Sequence, residues 1–183
     1  YHNVSVAKFQ IVLRMGPIDV TDNLGKDVIF QLNTSLESNN VFYTDGSGME
    51  LMKRQLGEGT FGQPIDYRSP GNNYYPTTAI ASIRDDKAQL VWLSDRSLGA
   101  GSMKNGSIEK MVYRRLLQGD GKGMNIPLNS TDTMRTHHTF IFDTPREATS
   151  AMRKTYWHEY HPVVAAVKPE PKSSANAPSH VAA

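Results

Sequence analysis

Arg114 and Arg115 stand side by side near the end of an alternating stretch, Ser107 to Leu117. Side chains of a strand point to opposite faces in turn, so the two guanidiniums are expected on opposite sides. One can face a ligand while the other meets solvent. The rigid fork of arginine suits a carboxylate or a hydroxyl-bearing ligand. The plain alternative is a surface or interdomain salt bridge. Asp95-Arg96 carries the same choice at a strand end, ahead of a run of small residues, Leu98 to Ser102. Small residues let a backbone approach a ligand or another domain closely. They serve a tight turn with a local ion pair equally well.

Other polar groups offer less. His137 and His138 are adjacent, so on a strand they face opposite sides and cannot share a metal. His158 and His161 sit at helical spacing, but Pro162 ends the helix there, and no carboxylate or cysteine completes a tetrahedral set. Asp120-Gly121-Lys122-Gly123 lacks the strand, spacing and helix of a phosphate-binding loop. Tyr74 and Tyr75 could stack on a flat ligand face or fill a turn. Aspartates are plentiful, yet sequence alone pairs no two of them as acid and base.

The elements that must position these groups are mostly strands. Period-two alternation dominates. Val4 to Leu13 predicts a strand with one well-buried face, ended by Gly16-Pro17. Asp27 to Leu36 predicts a second. Val41 to Thr44 and Met49 to Lys53 predict a hairpin around Asp45-Gly46-Ser47-Gly48. Leu56 to Asn73 reads as a long surface loop. Thr77 to Ile83 and Ala88 to Ser94 predict a strand pair, and His137 to Phe142 the last strand. Thr144-Pro145-Arg146-Glu147 is a capping box with proline at the first helical position. Ala148, Ala151 and Met152 give the ensuing helix a short apolar stripe, expected to pack across the sheet edge. This pattern predicts a mainly β fold, an antiparallel β-sandwich with one short C-terminal helix. Residues 1–161 form one domain. Residues 162–183 read as a flexible tail, since from Lys168 to Ala183 the chain is Lys, Pro, Ser, Ala and little else.

Composition sets limits. A chain of 183 residues suits one domain with a sizeable core. A net charge of +2, from 20 basic and 18 acidic side chains, gives no case for nucleic acid. No apolar run approaches the roughly 20 residues of a membrane span. Cysteine is absent, and a sandwich of this size needs no disulfide. Four Asn-x-Ser/Thr sequons, at Asn3, Asn33, Asn105 and Asn129, are candidates for N-glycosylation and point to the secretory pathway. The chain opens at Tyr1 with no signal peptide, which reads as a cut or partial chain.

Several blocks together resemble one family. They are Gly16-Pro17-Ile18 with Gly25-Lys26-Asp27-Val28, then Val41 to Gly48 (VFYTDGSG), Gly71 to Pro76 (GNNYYP) and Leu90 to Ser102 (LVWLSDRSLGAGS). Gly106 to Leu117 (GSIEKMVYRRLL) and Asp120 to Gly123 follow. The ordered set is similar to the C-terminal β-region of the α-mannosidases of glycoside hydrolase family 38, nearest its lysosomal and vacuolar acid branch. It departs at Ala100-Gly101 and at Ser47-Gly48-Met49, which bears on fine substrate preference.

The resemblance implies a mutarotase-like super-sandwich. It implies a segment of a retaining enzyme that removes α-linked mannose from glycans in a lysosome or vacuole, or after secretion. Zinc would grip the sugar in the intact enzyme, its ligands lying outside this chain. The nucleophile and the acid/base group, the two carboxylates such hydrolysis needs, would also come from an N-terminal catalytic portion, so this chain alone is expected to be inactive. It would pack on that portion and complete the substrate cleft, with Arg114, Arg115, Asp95 and Arg96 at the cleft edge. The alternative is a stand-alone carbohydrate-binding module marked by exposed Tyr74, Tyr75 and Trp92, or a purely structural one.

Overall fold

The computed structural model describes residues 5–14, 16–48, 50–119, 121, 131–161 and 163. The expected tail, apart from Val163, lies outside them, as do Asn3, Asn129 and most of Asp120 to Gly123. Ten strands are described: β1 Ser5–Leu13, β2 Lys26–Asn33, β3 Val41–Asp45, β4 Leu51–Gln55 and β5 Tyr75–Thr77. Then come β6 Ile80–Arg84, β7 Gln89–Ser94, β8 Leu98–Gly101, β9 Ser107–Arg115 and β10 Met134–Asp143. A helix, α1, spans Pro145–Tyr160.

The strands form two antiparallel sheets. One has the order β1-β10-β7-β6-β3-β4, the other β2-β9-β8-β5. Their facing sides enclose a core of Trp92, Phe42, Ile83, Leu90, Ile108 and Phe140. Phe30 of β2 meets Trp92 edge-on, with ring centroids 5.4 Å apart. The other face of the larger sheet is covered by α1, where Ala148, Met152 and Tyr156 pack on Ile80, Val91, Leu93 and Ile141. Every residue of β7 is therefore buried, as expected for a strand covered on both faces. The predicted mainly β sandwich with one C-terminal helix is the observed architecture.

The capping box forms as read: the Thr144 side chain accepts a hydrogen bond from the Glu147 amide. Four other expectations are corrected. The helix lies on a sheet face, against β7 and β10, and not across an edge. Thr77 and Ile83 do not share a strand, because the chain changes sheets between β5 and β6. Leu98 to Gly101 is not a loop but β8. Its glycines hold it under the Tyr74 ring, since a Cβ on Gly99 or Gly101 would come within 3.3 Å of that ring. Finally, β1 lacks the well-buried face its alternation predicts: Val6, Phe9 and Val12 are 47%, 38% and 43% exposed.

Candidate functional site

The Arg114 cluster depends on an irregularity. Along β2 and β9 the register runs Asp27↔Arg114, Val28↔Tyr113, then Ile29↔Met111, so β9 carries one extra residue, Val112, at a bulge. Strict alternation would place Arg114 with Ile108 and Lys110, toward the core. The bulge resets the phase and puts Arg114 on the outer face with Glu109 and Met111, opposite Asp27, Gln31 and Ile29.

Arg114 there grips Asp27 through two bonds, Nε to Oδ1 at 2.8 Å and Nη2 to Oδ2 at 3.2 Å. The Asp27 carboxylate raises the Arg114 pKa above the ordinary guanidinium value. Beside this pair, Tyr74 donates to Glu109 at 2.5 Å, and Gln31 donates to the other Glu109 oxygen at 2.6 Å. Burial, then the Glu109 bond, push the Tyr74 phenol above its usual range. Arg115 bonds the Leu116 carbonyl and takes no part in this group.

Asp95 and Arg96 leave the end of β7 on the other sheet. Arg96 holds Asp95 through Nε at 3.0 Å and also donates to the Arg135 carbonyl at 2.7 Å. His137 Nδ1 lies 3.2 Å from Asp95, and its Nε2 lies 2.8 Å from the Gln10 amide. Asp95 has its carboxyl pKa below the ordinary value, because bonds from Arg96 and His137 outweigh the burial that opposes them. This cluster borders an open cleft of about 530 Å³ between β1, β10 and the end of α1.

The two clusters share no hydrogen bond, and they belong to different sheets. β8 starts at Leu98 and pairs antiparallel with β9, Gly99 opposite Met111. The β7–β8 connection therefore emerges where β9 finishes at Arg114 and Arg115. The residues singled out in the sequence divide into two clusters, with Arg114 on the outer face of the smaller sheet and Asp95 and Arg96 beside His137 on the α1 side of the larger one.

The histidines divide as alternation predicts. His137 is exposed and His138 buried. Trp92 Nε1 donates to His138 Nδ1 at 2.9 Å, which leaves the imidazole proton on Nε2, 2.8 Å from Thr136 Oγ1. Burial, then the nearby Lys110 charge, push the His138 pKa down to about 4.

Lys110 gave no signal in the sequence beyond a charge at a core-facing position. Fully buried, it donates to the Ala79 carbonyl at 2.7 Å and to Ser94 Oγ at 2.9 Å across the sandwich. Burial pushes its pKa down to about 7.

Two further expectations change. Trp92 and Tyr75 are core residues, 0% and 9% exposed, so neither offers a face to a sugar. Tyr74 is half-buried and hydrogen-bonded to Glu109. Among the described residues no group of three His, Cys, Asp or Glu could hold a metal ion. Asp95 and His137 form a pair without a third ligand, so these residues do not fit zinc. Among the described residues no helix is long and apolar enough to cross a membrane. Asn33 ends β2. Asn105 lies in the turn before β9, where its side chain accepts from the Asn39 amide at 2.9 Å and donates to Glu37 at 2.8 Å.

The structure defines a two-sheet antiparallel domain with one helix packed on a sheet face. The family model described as "Glycosyl hydrolases family 38 C-terminal domain" matches residues 1–122, and the chain belongs to that family. It is 39% identical to "Lysosomal alpha-mannosidase" of Cavia porcellus over 142 residues, covering 76% of this chain and 14% of the relative. It is 32% identical to "Lysosomal alpha-mannosidase" of Dictyostelium discoideum over 153 residues, covering 82% and 15%. With "Alpha-mannosidase" of Canavalia ensiformis it shares 34% identity over 131 residues, covering 71% and 13%. The chain thus spans about one seventh of the length of these relatives.

Proposed function

We propose that this chain is the C-terminal segment of a retaining α-mannosidase that hydrolyses terminal α-linked mannose of glycans in a lysosome or vacuole. Residues 1–161 are its domain and 162–183 its tail. The observation that carries the reading is the match of residues 1–122 to the family's C-terminal domain. The relatives' names support the substrate and the compartment. The catalytic carboxylates and the zinc ligands belong to the rest of the polypeptide, and the segment packs on that portion. Zinc there would supply Lewis-acid binding of sugar hydroxyls.

This chain's own residues complete the cleft edge. Arg114, fixed by Asp27, presents its remaining guanidinium hydrogens outward as donors for hydroxyl groups. Arg115 supports the wall from the adjoining position. Asp95, held ionised by Arg96 and His137, offers acceptor lone pairs. On this reading the two clusters are separate contact points along the cleft edge. Binding by a stand-alone sugar module is disfavoured by the burial of Trp92 and Tyr75.

The test is hydrolysis of an aryl α-mannoside by the purified chain and by the complete polypeptide. Turnover is expected from the complete polypeptide alone. Equal rates from the isolated chain would overturn the division of labour.

A further inference from the structure

Each sheet has two edges, and an edge presents unpaired backbone groups that invite another strand. Three of the four edges here are blunted. β4 is five residues long, carries Lys53 and Arg54, and is followed by a bridge from Gln55 to Glu58. β5 is three residues with Pro76 at its centre. β2 has a pairing irregularity at Val28/Ile29 and charged Lys26 and Asp27.

β1 combines length with regular pairing. It is nine residues long, without proline, and pairs β10 without a bulge from Ser5↔Phe142 to Leu13↔Met134. Among the described residues its other edge has no partner strand. Its one charge, Lys8, is drawn to Glu159 of α1 at 2.7 Å. Apolar side chains stand exposed on both faces: Phe9 and, opposite Ser5 on β10, Phe142 at 46% on the inner face, and Val6 and Val12 on the outer. Strand alternation without burial is the mark of a sheet that stops short of its cover.

We infer that β1 is an internal strand of a wider sheet, whose next strand is supplied by another part of the same mannosidase polypeptide. The added strand carries apolar side chains on both faces. It extends the six-stranded sheet, and its flanking layers cover Phe9 and Phe142 on one side and Val6 and Val12 on the other. This rests on the reading of the chain as a segment of a larger enzyme, since about six sevenths of a relative's length lies beyond the match. Backbone pairing supplies the affinity, and the alternate apolar side chains fix the register.

Hydrogen exchange read by mass spectrometry tests this in the complete polypeptide and in the 183-residue chain. In the complete polypeptide all β1 amides are expected to be protected like those of β7. In the chain alone, alternate β1 amides should exchange at least 100-fold faster while β7 remains protected, which also reports that the chain is folded. Fast exchange of alternate β1 amides in the complete polypeptide overturns the inference, whatever the isolated chain does. Full protection in the isolated chain overturns it too: as a monomer its own residues cover the edge, and as a dimer a second copy does. Mannoside hydrolysis is scored separately, so loss of the mannosidase reading and loss of the strand pairing give different results.

Discussion

The indole of Trp92 donates to Nδ1 of His138 at 2.9 Å, and both side chains are buried between the sheets. Trp92 can only donate, so a proton on Nδ1 would break the bond and leave an imidazolium beside Lys110.

Acid should therefore weaken the fold through His138. Its pKa is about 4 when folded, against 6.5 for the free side chain. Between those values the unfolded chain binds more protons. The contribution of neutral His138 is complete above pH 6.5 and is lost as pH falls toward 4. The full loss is about 3 kcal/mol. Urea denaturation across this window should show the slope in the wild type and a flatter one in His138→Gln.

The turn before β9 is a second point of sensitivity. Gly106 has φ of +70°, and a Cβ there would lie 2.7 Å from the Thr34 carbonyl oxygen and 2.8 Å from that of Leu36. Both obstacles are backbone. Gly106→Ala should cost about 3 kcal/mol or more in chemical denaturation. Gly71→Ala, with nothing within 4 Å of the new atom, should change stability by less than about 0.5 kcal/mol.

Arg114 should separate activity from stability. The Arg114 and Asp27 side chains are 42% and 41% exposed, so their pair contributes at most about 1 kcal/mol to folding. In the complete polypeptide, Arg114→Ala should lower kcat/KM for a mannoside about tenfold or more, with a melting temperature near that of the wild type. Arg115→Ala is the companion variant. Wild-type kinetics in both would remove these arginines from the cleft edge.

How much of this was legible depended on how local the signal was. Thr144 and Glu147 announced the helix start because a capping box is written in four consecutive residues. Tight-turn chemistry announced the hairpin between β3 and β4. The extra residue at Val112 left no mark in the composition, yet it decides which face Arg114 occupies. Leu98 to Gly101 read as a loop because small residues signal turns locally. Their actual reason is distant in sequence: the Tyr74 ring lies on them. The failure at β1 is of another kind. Its alternation is correct for a strand, but which layers cover the two faces of a strand is set by distant parts of the fold and is not written in the strand itself.

Lys110 has a consequence for how the halves of the sandwich sit. Its ammonium extends from β9 to the Ala79 carbonyl, at the point where the chain crosses from β5 to β6. Sliding one sheet along the other by a single residue would pull Nζ away from both its acceptors, the Ala79 carbonyl and Ser94 Oγ. Apolar contacts alone would tolerate several such offsets. One misplaced-looking lysine thus acts as a latch on alignment, giving the domain a unique stacking at some expense in raw stability.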